Sequence, residues 1–300
     1  MDTVAHTRKS FINVRTKFEI LDIIILIILL IIAAMIVLPF VSVIATSFAT
    51  QQEYLESRLL LIPKNPTIDN YYRLFQDGRI WIGYRTTLIY LLIGVPLNMF
   101  LTTSLAYGLS RTSFPGSKVM FYAILVTMLF NGGIVPLYLL MLQLSLTNTI
   151  WSVILAYGVN SFYFIIMRTY MTTLPDSLIE SAKLDGASEW LILFRIVLPL
   201  SMPIIATVIL FYSVDRWNEW FNSMIFIRKN NIVPLQLVLR NIVIDSRAAA
   251  SMSISGPYVV RFADGMKMCA IIVTMLPIMC FFPFLQKYFV KGIMIGAIKA

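Results

Sequence analysis

The apolar positions of this chain fall in long unbroken blocks. They do not form the stripe of a surface helix or the alternation of a half-buried strand. The first block, ILDIIILIILLIIAAMIVLPFVSVI, runs from Ile20 to Ile44 with a single charge, Asp22. About 20 apolar residues cross the hydrocarbon layer. A cleaved signal core is about 7–15 residues, so this block reads as a retained first span. The second covers about 86–109. From Val119 to Met167 no charged residue occurs over 49 positions, enough for two spans, and the polar QLSLTNT at 143–149 is the natural hairpin between them. A fifth block lies at about 197–216 and a sixth at about 266–290. The pattern predicts an all-α polytopic membrane protein with six transmembrane helices. Residues 1–19 form an N-terminal tail, 20–290 the six-helix membrane domain and 291–300 a C-terminal tail.

Composition agrees with the pattern. Of 300 residues, 59% are hydrophobic and 13% charged, and the mean hydropathy is +0.82. Soluble domains carry about 25% charge. The net charge of +9 belongs to membrane orientation and not to nucleic acid, because no compact basic patch with interleaved aromatics occurs. Even spans put both termini on one side. Among the short loops, 110–118 carries Arg111 and Lys118 whereas 143–149 has no base, so the positive-inside rule places both termini in the cytoplasm of a multi-pass membrane protein. Trp81, Trp151, Trp217 and Trp220 then fall near the outer interface.

Little in the sequence points to chemistry carried out by the chain itself. His6 is the single histidine, so no His-based metal site or triad can be assembled. No phosphate loop or nucleophile elbow occurs. Cys269 and Cys280 lie eleven residues apart in one apolar block, about three helical turns and too far to bridge, and read as small buried hydrophobes.

Several spans are interrupted: Pro96 and Asn98 in the second, Asn131, Gly132, Gly133 and Pro136 in the third, Pro277 and Pro283 in the sixth. Broken helices survive in lipid only against protein or a wet cavity. These positions are therefore packing kinks or the lining of a pathway.

One segment is out of keeping with its surroundings. ESAKLDGASEWLILFRIVLP, Glu180 to Pro199, holds three acids, two bases and a glycine between two spans. Pro175 and Asp176 predict a helix start and Gly186 its stop. Leu178, Ile179 and Ala182 make an apolar stripe, with Asp176, Glu180 and Lys183 opposite. So short a helix needs a surface on each side. SEWLILF predicts a second short helix, apolar nearly all round and so sandwiched.

The segment resembles the EAA loop of bacterial ATP-binding-cassette importer permeases, whose pattern is E-A-A, three residues, G, nine residues, I, one residue, L-P. Here Glu180-Ser181-Ala182, Gly186, Ile196 and Leu198-Pro199 match in spacing, with Ser181 replacing the central alanine. AYGLSRTSFPGSK, RIVLPLSMPIIATVILFYSVDRWNEWFNSMIFI and KYFVKGIMIGAIKA are similar to carbohydrate-uptake permeases of the maltose-importer type, in the branch of complex-oligosaccharide transporters. The resemblance implies a cytoplasmic coupling-helix loop at about 174–199 between spans four and five. This loop docks in a cleft of a cytoplasmic ATPase dimer and couples its closure to transport. Glu180 is then a polar contact to the cleft, Ser181 and Ala182 permit close approach, Gly186 makes the turn, and Lys183 and Asp185 are rim contacts. The implied partners are a second six-span permease, that ATPase, an extracytoplasmic solute-binding protein and a carbohydrate substrate. This chain binds no cofactor, ATP and Mg being held by the ATPase.

Uncharged sugars are held by aromatic faces and by amide or hydroxyl groups. The polar cluster at the outer end of the fifth span, DRWNEWFN, supplies Trp217, Asn218, Glu219 and Asn222 as pathway candidates beside Asp215, Arg216 and Trp220. Asn131, Asn160 and Tyr163 join them. The competing interpretation is an interfacial cap with belt tryptophans. An ion-gradient-driven secondary transporter would need ionisable groups in mid-membrane, which the charge-free run opposes. An importer of a non-sugar solute is a rival within the same class, because the EAA loop reports the motor rather than the cargo.

Overall fold

A computed structural model describes residues 20–57, 59–111, 114–251 and 263–297, with side chains up to 245 and from 264 to 281. The described residues form helices and no strand. Helix α1 is Ile20–Ser47, α2 Gln51–Glu56, α3 Asp69–Gln76 and α4 Gly78–Ser110. Then follow α5 Ser117–Leu129, α6 Ile134–Gln143, α7 Ile150–Ala156 and α8 Ser161–Met171. The segment under question forms α9, Asp176–Leu184, and α10, Glu189–Leu200. The chain closes with α11 Met202–Trp217, α12 Phe221–Phe226, α13 Leu235–Ser251 and α14 Ala263–Ala297.

Among the described residues three helices are long and apolar enough to cross a membrane: α1, α4 and the Asp264–Phe281 part of α14. Three sharply bent pairs bring the total to as many as six: α5–α6 at 116°, α7–α8 at 52° and α10–α11 at 87°. The apolar blocks thus become helices where the pattern puts them, but half of them are broken.

The breaks have local causes. Between α5 and α6 the chain turns at Asn131-Gly132-Gly133, where Asn131 Oδ1 accepts the Gly133 N–H at 2.9 Å and Gly133 takes φ +87°. That conformation favours glycine. Proline acts differently. Its ring presses on the carbonyl four residues back, and the helix relieves this with a wider π-turn. Tyr90–Gly94 is such a turn ahead of Pro96, and Leu193–Val197 ahead of Pro199. In each case the residue four back, Leu92 or Arg195, sits at the middle of the turn. Pro277 and Pro283 break nothing, since α14 runs through both to Ala297, past the expected boundary at 290. Helix α4 also starts eight residues before the expected 86. Asp77 caps it, its Oδ1 accepting the Arg79 N–H at 3.0 Å, and pairs with the Arg79 guanidinium at 2.7 Å. Arg79 and Arg85 hid this first turn from a reading by hydropathy.

Three apolar clusters hold the helices. One joins α4, α8, α10 and α11 through Met99, Tyr107, Phe164, Met167, Ile192 and Val208. Another joins α3, α4, α11, α13 and α14 through Leu74, Ile80, Trp217, Leu235 and Cys269. A third gathers Tyr90, Met141, Val153, Ile154 and Phe226. Trp217 is therefore a buried packing residue rather than a belt aromatic, whereas Trp81, Trp151 and Trp220 are exposed. Cys280 is exposed and only Cys269 is buried.

Helix α1 stands apart. Its apolar side chains from Leu21 to Val41 are exposed on every side, as a lipid-facing helix requires. Its foot is tied down. The Ser47 carbonyl accepts from Asn70 Nδ2 at 3.1 Å and from the Cys269 thiol at 3.3 Å, and the Ser47 hydroxyl meets Tyr71 Oη at 2.9 Å.

Candidate functional site

The charged segment is built by local rules. Pro175 at φ −60°, ψ 127° directs the chain into α9, and Asp176 in the first turn faces the positive end of the helix dipole. The stop is a Schellman motif: Ala187 N donates to Ala182 O at 2.9 Å, Gly186 N to Lys183 O at 3.0 Å, and Gly186 takes φ +80°. Ser188 then caps α10, its Oγ accepting the Leu191 N–H at 3.3 Å.

Helix α9 is anchored by one face. Ile179 is buried in the α4–α8 cluster, with Ala182 and Ala187 packed beside it. Leu178, expected on the same stripe, is instead exposed. Polar ties flank this seat. Lys183 Nζ lies 2.6 Å from Glu189 Oε1, the buried Tyr107 hydroxyl donates to Glu189 Oε2, and Arg111 Nη1 lies 3.6 Å from Asp176 Oδ1. The opposite face holds Ser177, Glu180, Ser181, Leu184 and Asp185, all exposed. Leu184 is 89% exposed, a large apolar side chain raised beside Glu180. The sequence reading did not single it out, although a helical projection places it between Glu180 and Ser177. Nor is α10 sandwiched among the described residues: Ile192 and Leu193 are buried, while Trp190, Leu191 and Phe194 are exposed.

The second group of candidates gathers at the far end of α11. A pocket of about 350 Å³ is lined by Tyr157, Asn160, Asp215, Asn218, Glu219, Trp220 and Asn222 among others. A second hollow, at the α5–α6 break, includes Asn131 and Phe130 and shares Tyr157 and Asn160 with the first. Asn131 and Asn160 are thereby brought to adjoining hollows, whereas Trp217 lines neither.

Much of the polarity here is already in use. Asn160 caps α8, its Oδ1 accepting from Phe162 N at 2.9 Å. Glu219 accepts from the Asn222 backbone N–H at 2.9 Å and from its side-chain amide at 2.8 Å. The Tyr163 hydroxyl donates to Asp215 Oδ2 at 2.8 Å, and its ring meets Tyr212 edge-on with centroids 4.9 Å apart. Arg216 is a brace. Its buried guanidinium donates to Asn98 Oδ1, Val153 O, Ile154 O and Tyr157 O at 2.9–3.4 Å. It thus ties α4 and the α7–α8 break to α11. Asn222 Oδ1 and Trp217 Nε1 are buried without a hydrogen-bond partner among the described residues, and Asn222 lines the same pocket as the aromatic Trp220 and Tyr157.

No family model matches the chain. Individual proteins do. The polygalacturonan/rhamnogalacturonan transport system permease protein YtcP of Bacillus subtilis (strain 168) is 37% identical over 284 residues, covering 94% of this chain and 99% of its own. Protein LplC of the same organism is 36% identical over 281 residues, covering 94% and 95%. Among solved structures, a chain of a bacterial ABC transporter involved in the import of the acidic polysaccharide alginate superposes with a TM-score of 0.81. It shares 28% identity over 90% of this chain and 96% of that one.

Proposed function

The chain belongs to the permease subunits of carbohydrate ATP-binding-cassette importers, and from that premise we propose that α9 is the element through which a separate ATPase drives it. As a permease of this family it is not itself an enzyme. The observation that carries the proposal is the two-sidedness of α9. Its inner face is sealed on the membrane helices through Ile179. Its outer face presents Glu180, Ser181 and the 89%-exposed Leu184, a carboxylate beside an apolar knob that nothing among the described residues covers. In this reading Glu180 and Leu184 enter the ATPase cleft, Ser181 and Ala182 allow close approach, Gly186 makes the turn, and Lys183 and Asp185 lie at the rim.

The same reading assigns the remaining parts. The loop 174–199 and both termini face the cytoplasm, and six spans lie in the cell membrane. A second permease of similar size completes the translocation pathway, and an extracytoplasmic binding protein delivers an oligosaccharide. The hollows around Tyr157, Asn160, Trp220 and Asn222 are this chain's share of the path, with Asn131 at the α5–α6 break and Asn218 and Glu219 at the rim. Tyr163 acts from behind by holding Asp215.

The test is co-purification and uptake. Glu180→Arg or Gly186→Pro should release the ATPase from the tagged, membrane-extracted complex. Either change should lower ATP-dependent uptake by more than about tenfold, as loss of a desolvated anchor does. Retention of both ATPase and uptake would refute the docking assignment.

A further inference from the structure

We propose that Glu189 is a positioning residue that fastens α9 to the last turn of α4, so that the docking helix and the membrane helix move as one piece. The inference rests on the docking assignment for α9 and concerns how motion leaves it.

Helix α9 is nine residues long, about 13 Å from end to end. Its single large buried side chain is Ile179, near the middle. A short helix seated on one side chain can roll and tilt about that pivot, and force applied to its outer face would be spent in doing so. Two polar ties remove this freedom. At the first turn Asp176 faces Arg111, and at the last turn Lys183 holds Glu189, whose other oxygen accepts from Tyr107. Tyr107 lies in the last turn of α4 and Arg111 directly follows the helix in extended backbone, its guanidinium folded back to lie 4.7 Å over the Tyr107 ring. Both ends of α9 are thus held at the C-terminal end of α4. An exposed ion pair alone contributes little. Here Glu189 joins two charge-assisted contacts, one of them to a phenol fixed in the core at 7% exposure. Among the described residues, Glu189 is the side chain that touches both α9 and α4 at this end.

The experiment uses the whole importer, purified through a tag on this chain and held in lipid nanodiscs. An environment-sensitive dye at Met224→Cys, an exposed position on α12, in a background where the exposed Cys280 is replaced by serine, reports the response of the opposite end to ATP and vanadate. Glu189→Ala and Tyr107→Phe should keep the ATPase bound and its nucleotide trapping within about twofold, while the dye response per trapped nucleotide falls about tenfold. Glu189→Gln, which keeps an oxygen to accept from the Tyr107 hydroxyl and loses only the charge facing Lys183, should retain at least about half of it. An unchanged dye response in Glu189→Ala and Tyr107→Phe would overturn the proposal. So would loss of the ATPase from these variants, which would make Glu189 a docking contact. Glu180→Arg serves as the separate control: if the ATPase stays bound and the dye responds, the docking assignment itself falls, whatever Glu189 does.

Discussion

Arg216 brings a full charge into the packed interior with no carboxylate in contact with it. Its acceptors are the Asn98 side chain and three backbone carbonyls around the α7–α8 break. The arginine was visible in the sequence, but its partners were not, since a free carbonyl is a property of a broken helix and has no letter of its own. Arg216→Met would leave those carbonyls without donors at a cost on the order of 3 kcal/mol or more. It should therefore lower the thermal midpoint of the purified protein far more than Arg240→Met, whose guanidinium stacks on exposed Trp220. Asp77 gives the opposite case, a residue whose role follows from its spacing. Its hydrogen bonds from Arg79 hold its carboxyl below the usual carboxylate range. A depressed group contributes stability that is fully present above its ordinary pKa and is lost as pH falls through the depressed one. Asp77→Ala should therefore cost about 1 kcal/mol at neutral pH as a lost cap. The difference in melting temperature from the unaltered protein should shrink to nothing in acid.

At the scale of elements, hydropathy located the helices of the apolar blocks and misjudged how they bend, and it did not show α2, α3, α12 and α13 in the long connections. Asn-Gly-Gly between α5 and α6 was legible as an interruption, but not as a turn of 116°; angle is set by which glycine takes positive φ. The structure makes that choice testable. Gly133→Ala would put a Cβ at φ +87°, ψ 172°, an extended conformation open essentially only to glycine, and should cost about 1–3 kcal/mol, whereas Gly132, with open space where a Cβ would lie and no positive φ, should accept alanine with little change in thermal stability. Prolines misled in both directions. Pro277 and Pro283 lie in an unbroken helix, while Pro96 and Pro199 are each preceded by a π-turn. Helix α9 was the most legible element, because Pro175, Asp176 and Gly186 fix its ends by local chemistry. Its ties to α4 were not, since Tyr107 and Glu189 are separated by 82 residues.

For the molecule as a whole, the count of apolar blocks and one spaced motif were enough to indicate an importer permease. Which hollows would meet the solute depended on contacts between distant segments: Asn160 shares one hollow with Asn218, Glu219 and Asn222 and the other with Asn131. Helix α1 shows what such distance means in time. Its foot is bonded to Cys269, 222 residues further along the chain. At about 5–20 residues per second, that partner leaves the ribosome some ten to forty seconds after Ser47. For that interval α1 has to persist in the bilayer without the helix that will hold it. Its coat of isoleucine and leucine on every side then serves as provision for a wait: a helix with a polar stripe would have to find company at once, and this one can stay in lipid until α14 arrives.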